Sequence, residues 1–274
     1  MIDYDMHVHS TYSDGVLSVK EIIEICKKRS LKGVSITDHD TVAAFEDIHY
    51  LEEKSLDIIP GVELSTSYNG EEVHILGYNI DYKNENLLKT LNKIKNFRVN
   101  RVEEIVNKLK HLGYDIEIEE VFSKASKESS IGRPHIARCL VEKGYFKDTN
   151  LAFEKVLGNN KPGFVERYKL SSEDGINLIK SSGGIPVLAH PCIIQSFGLS
   201  KVITDMIKYG IEGIEVFHTL HSRLNEGELL NFAIKNNLLI TGGSDCHEKL
   251  ASNGEFVIGS KGITLDHIQK LKGR

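Results

Sequence analysis

The sequence predicts an α/β barrel interrupted by a helical insertion, and three observations predict it. Short apolar runs alternate with helix-length segments in the first and last thirds of the 274 residues, a rhythm that favours parallel strands in an open sheet or a closed barrel. The middle third has helical periodicity with no buried strand behind it. Functional residue types follow the apolar runs at His7, Asp38, Glu63, His190, His218 and Asp245, and barrel enzymes place their chemistry at the carboxyl ends of their strands.

The elements are read in order. Ile2 to Met6 is a strand, Ser18 to Ser30 a helix, Gly33 to Thr37 a strand, Val42 to Lys54 a helix and Leu56 to Val62 a strand. From Leu87 to Leu112 the apolar residues Leu88, Leu91, Ile94, Phe97, Val102, Ile105 and Leu109 recur at helical spacing. Further helices are expected near Glu117 to Lys124, His135 to Lys143 and Asn150 to Leu157. Residues 86–168 would then form a helical insertion capping a barrel made of 1–85 and 169–274. The strand and helix alternation resumes with Gly184 to Ala189, Ser200 to Tyr209, Gly213 to Phe217, Ser222 to Asn236 and Leu238 to Thr241.

A chain with 40% hydrophobic and 27% charged residues can bury one large core, or one core and a smaller one. The net charge of -5 gives no general attraction for a polyanion, so double-stranded DNA is not an expected partner and a phosphate must be drawn by local cations or metals. No apolar run approaches the roughly 18 residues of a spanning helix, and the first ten residues do not read as a signal peptide. The expected location is cytoplasmic. Cys26, Cys139, Cys192 and Cys246 form no CxxC pair and read as buried inert thiols.

Taken singly, each polar candidate has an ordinary explanation. His7 and His9 share a face if the segment is extended, but an isolated HxH is usually incidental. Asp14, Asp38 and Asp40 suit turns or a helix cap. His74 reads as a core histidine. Glu63, ending the run Pro60-Gly61-Val62, is harder to dismiss because an unpaired buried carboxylate is costly and bridging two ions would stabilise it. His190 leaves an apolar strand just before Pro191, and Asp245 and His247 repeat the two-residue spacing. Taken together, imidazoles and carboxylates at strand ends indicate a multinuclear centre for Zn, Mn or Fe(II).

The motifs His7-x-His9 with Asp14, Thr37-Asp38-His39, Pro60-Gly61-Val62-Glu63, His74, Ala189-His190-Pro191 and Ser244-Asp245-x-His247 resemble, in order, those of the PHP (polymerase and histidinol phosphatase) family. The resemblance implies a distorted (β/α)7 barrel, a TIM-like PHP fold, with three divalent ions, manganese favoured and zinc or iron as alternatives. One ion would take His7, His9, Glu63 and Asp245. A second would take Glu63, His74 and His190, and a third Asp14, His39 and His247. Asp38 would orient His39 or another imidazole. The implied reaction is phosphoester hydrolysis by a metal-bound hydroxide held by Glu63, Asp245 and His190. No G-x-S-x-G elbow or P-loop suggests another route.

Gly132-Arg133-Pro134-His135 places a guanidinium and an imidazole where they would grip a second phosphate. This segment resembles the PHP subgroup that removes the 3′-phosphate of nucleoside 3′,5′-bisphosphates and trims short 5′-phosphorylated RNA. Arg167 is a further substrate candidate. His218, as acid or phosphate contact, and His221 are expected at the barrel mouth. Lys89, Lys93, Lys95 and Arg98 to Arg101 read as a solvated helix face. Histidinol-phosphate phosphatase and a non-catalytic, replication-associated metal domain are the alternatives.

Overall fold

The structure, a computed structural model, describes residues 2–46, 55–124, 131–166, 168–194, 198–249 and 254–273. Seven strands lie side by side in the order β1 (Tyr4–Val8), β2 (Gly33–Ile36), β3 (Asp57–Tyr68), β4 (Glu71–Tyr78), β6 (Ile185–Leu188), β7 (Gly213–His218) and β8 (Leu239–Gly243), with the short β5 (Leu170–Ser171) paired to β3. Helices α1 (Val19–Lys28), α6 (Ser172–Ser181), α7 (Leu199–Tyr209), α8 (Arg223–Lys235) and α9 (Leu265–Lys272) surround the sheet. The sheet curls until β8 meets β1. Asp245 N donates to His7 O at 2.8 Å and His9 N to Cys246 O at 3.2 Å, giving a nearly closed, distorted barrel. Gly243 makes this approach possible, because a Cβ there would lie 2.3 Å from that of His7.

Local sequence explains the elements. Ser18 caps α1 through a capping box with Glu21, and the helix buries Val19, Ile22, Ile23 and Cys26. These join Ile176, Ile179, Val202, Met206 and Leu229 from other helices against strand residues such as Val34, Ile36, Leu64 and Ile214. A second cluster links Met6, Leu76, Tyr78 and Val187 of the strands to Ile268 and Leu271 of α9.

The strands are not all parallel, which corrects the sequence expectation. β3 runs on to Tyr68 and turns through Asn69 (φ 49°) and Gly70 (φ 85°) into β4, so β3–β4 and β4–β6 are antiparallel. Asn-Gly with both residues at positive φ is the two-residue hairpin that matches strand twist. Its register sets Ser65 opposite His74 and leaves Glu63 diagonal to His74 on the same face. β1 also extends two residues further than expected, so His7 lies within the strand. The helix expected over Val42 to Lys54 is helical at 44–46, and residues 47–54 lie outside the described residues.

Between β4 and β5 lie α2 (Glu85–His111), α3 (Ile118–Phe122), α4 (Arg133–Glu142) and α5 (Thr149–Ala152), which runs into a π-turn over Phe153–Leu157. They bury a cluster of their own that includes Val102, Ile105, Leu109, Ile116, Ile136, Leu140 and Leu157. Among the described residues no helix is long and apolar enough to cross a membrane.

Candidate metal centre

Four side chains meet at the barrel mouth. His7 and His9 project from one face of β1 and its extension, Glu63 from β3, and Asp245 from the turn after β8. His7 Nε2 lies 3.1 Å from His9 Nε2, 3.2 Å from Glu63 Oε2 and 3.3 Å from Asp245 Oδ1. His9 Nε2 lies 3.2 Å from the same Glu63 oxygen and 3.1 Å from the same Asp245 oxygen. These five separations of 3.1 to 3.3 Å are close to the roughly 3.3 Å between donors bound about 2.0 to 2.1 Å from one tetrahedral zinc.

Glu63 reaches a second set through its other oxygen. Oε1 lies 2.8 Å from His74 Nδ1 and 3.0 Å from His190 Nε2. His39 faces two ways, with Nδ1 3.1 Å from Glu63 Oε2 and Nε2 3.9 Å from Asp14 Oδ2. Asp14 Oδ1 is 3.1 Å from His247 Nε2. The nine candidate ligands thus form one contiguous cluster with Glu63 at its centre.

The cluster is chemically unbalanced as a set of hydrogen bonds. Among the described residues, Asp14 Oδ1, His39 Nδ1 and Asp245 Oδ1 are buried without a hydrogen-bond partner, a costly state for polar atoms. Burial works against the charges of Glu63, Asp14 and Asp245, yet the surrounding histidines hold all three carboxyls well below the usual range. Burial also disfavours charge on His9 and His74. Asp245 and Glu63 outweigh it at His9, and Glu63 and Glu72 at His74, lifting each ring to about 10. Burial pushes His39 down to about 3. Cations among these atoms would satisfy the carboxylates without protonating the rings. The donors are imidazole and carboxylate, a set suited to Zn, Mn or Fe(II), and burial pushes the nearby Cys246 thiol up to about 11.

Supporting contacts fix the rings, and several were not anticipated. Glu215, inside the apolar strand β7, places Oε1 2.9 Å from His7 Nδ1 and accepts from His190 N through Oε2 at 2.8 Å. His190 sits at φ 26° before Pro191, a sparsely populated conformation that a backbone tether helps hold. Asp5, pushed up to about 6 by burial, accepts from His7 N, Ser244 N and Gly259 N and so stitches β1 to β8. The orienting contact expected from Asp38 to an imidazole is indirect. Its carboxylate accepts from Ser10 N, Ser10 Oγ and Ser13 Oγ at 2.6 to 2.7 Å, and Ser13 Oγ lies 3.4 Å from His9 Nδ1.

His218 is fully buried. Leu220 N–H donates to its Nδ1, which leaves the proton on Nε2, 3.2 Å from Asp245 Oδ2. That contact ties His218 to Asp245. His221, also buried, donates from Nδ1 to Val216 O and leaves its Nε2 without a hydrogen-bond partner among the described residues.

A cavity of about 130 Å³ opens beside the cluster, lined by Asp14, His39, His74, Arg98, Arg101 and Arg133 among others. Arg133 donates to Leu157 O and Asn159 Oδ1 and lies near the rings of Phe153 and Phe164, 5.7 and 6.0 Å from their centroids. His135 departs from expectation. Its Nδ1 accepts from Gly132 N–H at 3.2 Å, it is 1% exposed, and it does not line this cavity. The third residue of a helix is where such a cap forms. Arg98 and Arg101 also differ from the solvated face expected of them. Arg98 pairs with Asp40 and Arg101 donates to Val165 O. Arg167 lies outside the described residues.

The PHP domain family matches residues 5–173, and the chain belongs to it. It is 32% identical over 247 residues to a 5'-3' exoribonuclease of Haemophilus influenzae, covering 89% of each chain. It is 31% identical over 250 residues to a 3',5'-nucleoside bisphosphate phosphatase of Chromobacterium violaceum, covering 90% of this chain and 88% of that protein. A Bifidobacterium adolescentis structure described as a metal-dependent phosphoesterase superposes with a TM-score of 0.89 at 28% identity, over 98% of this chain and 94% of its own. Cluster, fold and relatives agree on a metal-dependent phosphoric ester hydrolase.

Proposed function

We propose that the enzyme acts on a 5′-phosphorylated nucleoside carrying a phosphoryl group on its 3′ oxygen. It would release phosphate from nucleoside 3′,5′-bisphosphates, or trim short 5′-phosphorylated RNA in the 5′→3′ direction. The observation that carries this reading is that Arg133 lines the same cavity as the candidate ligands Asp14, His39 and His74. One phosphoryl group at the cluster would leave Arg133 in reach of a second. The names of the two relatives, a 5'-3' exoribonuclease and a 3',5'-nucleoside bisphosphate phosphatase, agree with such a substrate.

The ligand sets support three ions, with manganese favoured: His7, His9, Glu63 and Asp245; Glu63, His74 and His190; and Asp14, His39 and His247. Bound divalent ions would lower the pKa of water and neutralise phosphoryl oxygens as charge builds. The chain's own residues set the geometry. Asp14, His39 and His74 form the cavity wall where the reacting phosphoryl group sits. Arg133, anchored on a backbone carbonyl, offers its remaining N–H groups to the second phosphate in a planar fork. Arg98, paired with Asp40 and reaching Ser65 Oγ at 3.2 Å, fixes α2 to the barrel. That contact also occupies the one hydroxyl among the described residues lining this cavity.

The test is manganese-supplemented phosphate release from adenosine 3′,5′-bisphosphate beside 3′-AMP, 5′-AMP, histidinol phosphate and a short 5′-phosphorylated RNA. Preference for the bisphosphate or the RNA is expected. Preference for histidinol phosphate would keep the hydrolytic centre and discard the substrate.

A further inference from the structure

A second compartment adjoins the inner cavity at Arg133. It has a volume of about 490 Å³, shares Glu72, Arg101 and Arg133 with the first and is lined further by Asn159, Asn160, Phe164, Glu166 and Lys169. The two differ in size and character. The outer one falls within the range of small-molecule sites, about 300 to 1,000 Å³, and the inner one falls below it. Arg133 lines both compartments and lies near two phenylalanines, Phe153 lining the inner space and Phe164 the outer.

We propose that the outer compartment is the nucleoside pocket, with the base against Phe164 and its polar edge met by the amides of Asn159 and Asn160. This inference rests on the nucleotide reading above. Both proposed reactions share one substrate element, a nucleoside with a 5′-phosphate and a reacting phosphoryl group on O3′. That element needs two anionic positions and one flat, partly apolar position.

The structure supplies them in that arrangement. The ligand cluster and Arg133 provide the anionic positions. Phe164 provides an aromatic face, which accepts any base because every base has a π-face. Asn159 Oδ1 accepts from Arg133 at 3.2 Å, so this amide couples the guanidinium to whatever occupies the pocket. Lys169 pairs with Glu72 at 3.5 Å, and Glu72 also reaches His74 Nε2 at 3.1 Å. The acidic lining residue nearest the cluster is thereby partnered; the other carboxylate lining the outer compartment, Glu166, is exposed to solvent, and Arg101 and Arg133 lie between the two compartments.

The test compares adenosine 3′,5′-bisphosphate with ribose 3,5-bisphosphate, which keeps both phosphates and lacks the base, in wild type, Phe164→Ala and Phe164→Leu. Base stacking contributes enough that the kcat/KM preference for the adenosine compound should fall about tenfold in both variants. Phe164→Leu preserves bulk without the aromatic face and separates stacking from collapse of the pocket. Bound metal per chain should remain at the wild-type value. Turnover of both compounds with an unchanged preference, or an equal loss on both, would overturn the pocket while leaving the reaction standing. Failure of wild type to hydrolyse either compound, and a short 5′-phosphorylated RNA as well, would overturn the nucleotide reading and the pocket with it.

Discussion

Glu215 Oε1 lies 2.9 Å from His7 Nδ1, and both side chains are fully buried. The carboxylate can only accept, so the neutral ring carries its proton on Nδ1 and turns a lone pair toward Glu63 and Asp245. A lone pair facing two carboxylates needs a cation between them, a proton or a metal ion: burial disfavours charge on the ring, yet Glu215, Asp245 and Glu63 raise its affinity for a proton well above the ordinary value. The relationship therefore selects the tautomer that a metal requires, and it resembles the carboxylate–histidine–metal arrangement found in many sites.

Glu215→Gln should consequently weaken metal binding while preserving the fold. An amide can still accept from His7 or from His190 N, but it can also present a donor that favours the wrong tautomer. Loss of such an outer partner typically costs tenfold to hundredfold in metal affinity. Titration of chelator-stripped protein with manganese would measure it. Wild-type affinity in the variant would show that Glu215 does not orient His7.

Glu63→Gln removes the oxygen pair that joins the two sets of imidazoles. The expected loss of turnover exceeds the tenfold to hundredfold range of an outer partner, and bound metal per chain should fall. Thermal unfolding with and without manganese gives an independent reading, because an ion that binds only the folded chain raises its stability. The variant should lose most of that metal-dependent gain. Full metal content with wild-type turnover would remove Glu63 from the centre.

Much of this site is visible in the sequence because its groups follow apolar runs, where a strand must end and a buried carboxylate needs a partner. Other parts are hidden for physical reasons. The hairpin bringing His74 to Glu63 depends on Asn69-Gly70, a strong turn signal that the regular strand and helix rhythm obscures. Glu215 sits in the apolar run Gly213 to Phe217, where one acidic residue gives no hint that its partners are His7 and the backbone of His190, contributed by β1 and the end of β6. Asp5 is hidden in β1 in the same way. The part of His135 is settled by a three-residue backbone contact, which cannot be told from a ligand contact by composition.

Arg133→Ala should discriminate between substrates. A charge-assisted hydrogen bond contributes roughly 1.5 to 3 kcal/mol, so the KM for adenosine 3′,5′-bisphosphate should rise about tenfold to hundredfold, while that for 3′-AMP, lacking the second phosphate, changes little. Steady-state kinetics on the two compounds decides it. An equal effect on both would mean that the guanidinium supports the cavity without selecting a second phosphate.

His135 makes the start of α4 sensitive to acid. Burial pushes its ring down to about 4 from an ordinary value of 6.5, and its unprotonated Nδ1 accepts from Gly132 N–H. The folded pKa lies below the unfolded one, so the unfolded chain binds the proton more readily. The stabilisation is present above about pH 6.5 and is lost as pH falls toward 4, by on the order of 3 kcal/mol in full. His135→Gln keeps an acceptor at the third helical position, where Gln also caps, and removes the titration. Urea midpoints measured from pH 7.5 to 4.5 should therefore fall less steeply for the variant than for wild type. Parallel curves would place the acid sensitivity elsewhere and leave His135 as a cap whose protonation costs nothing.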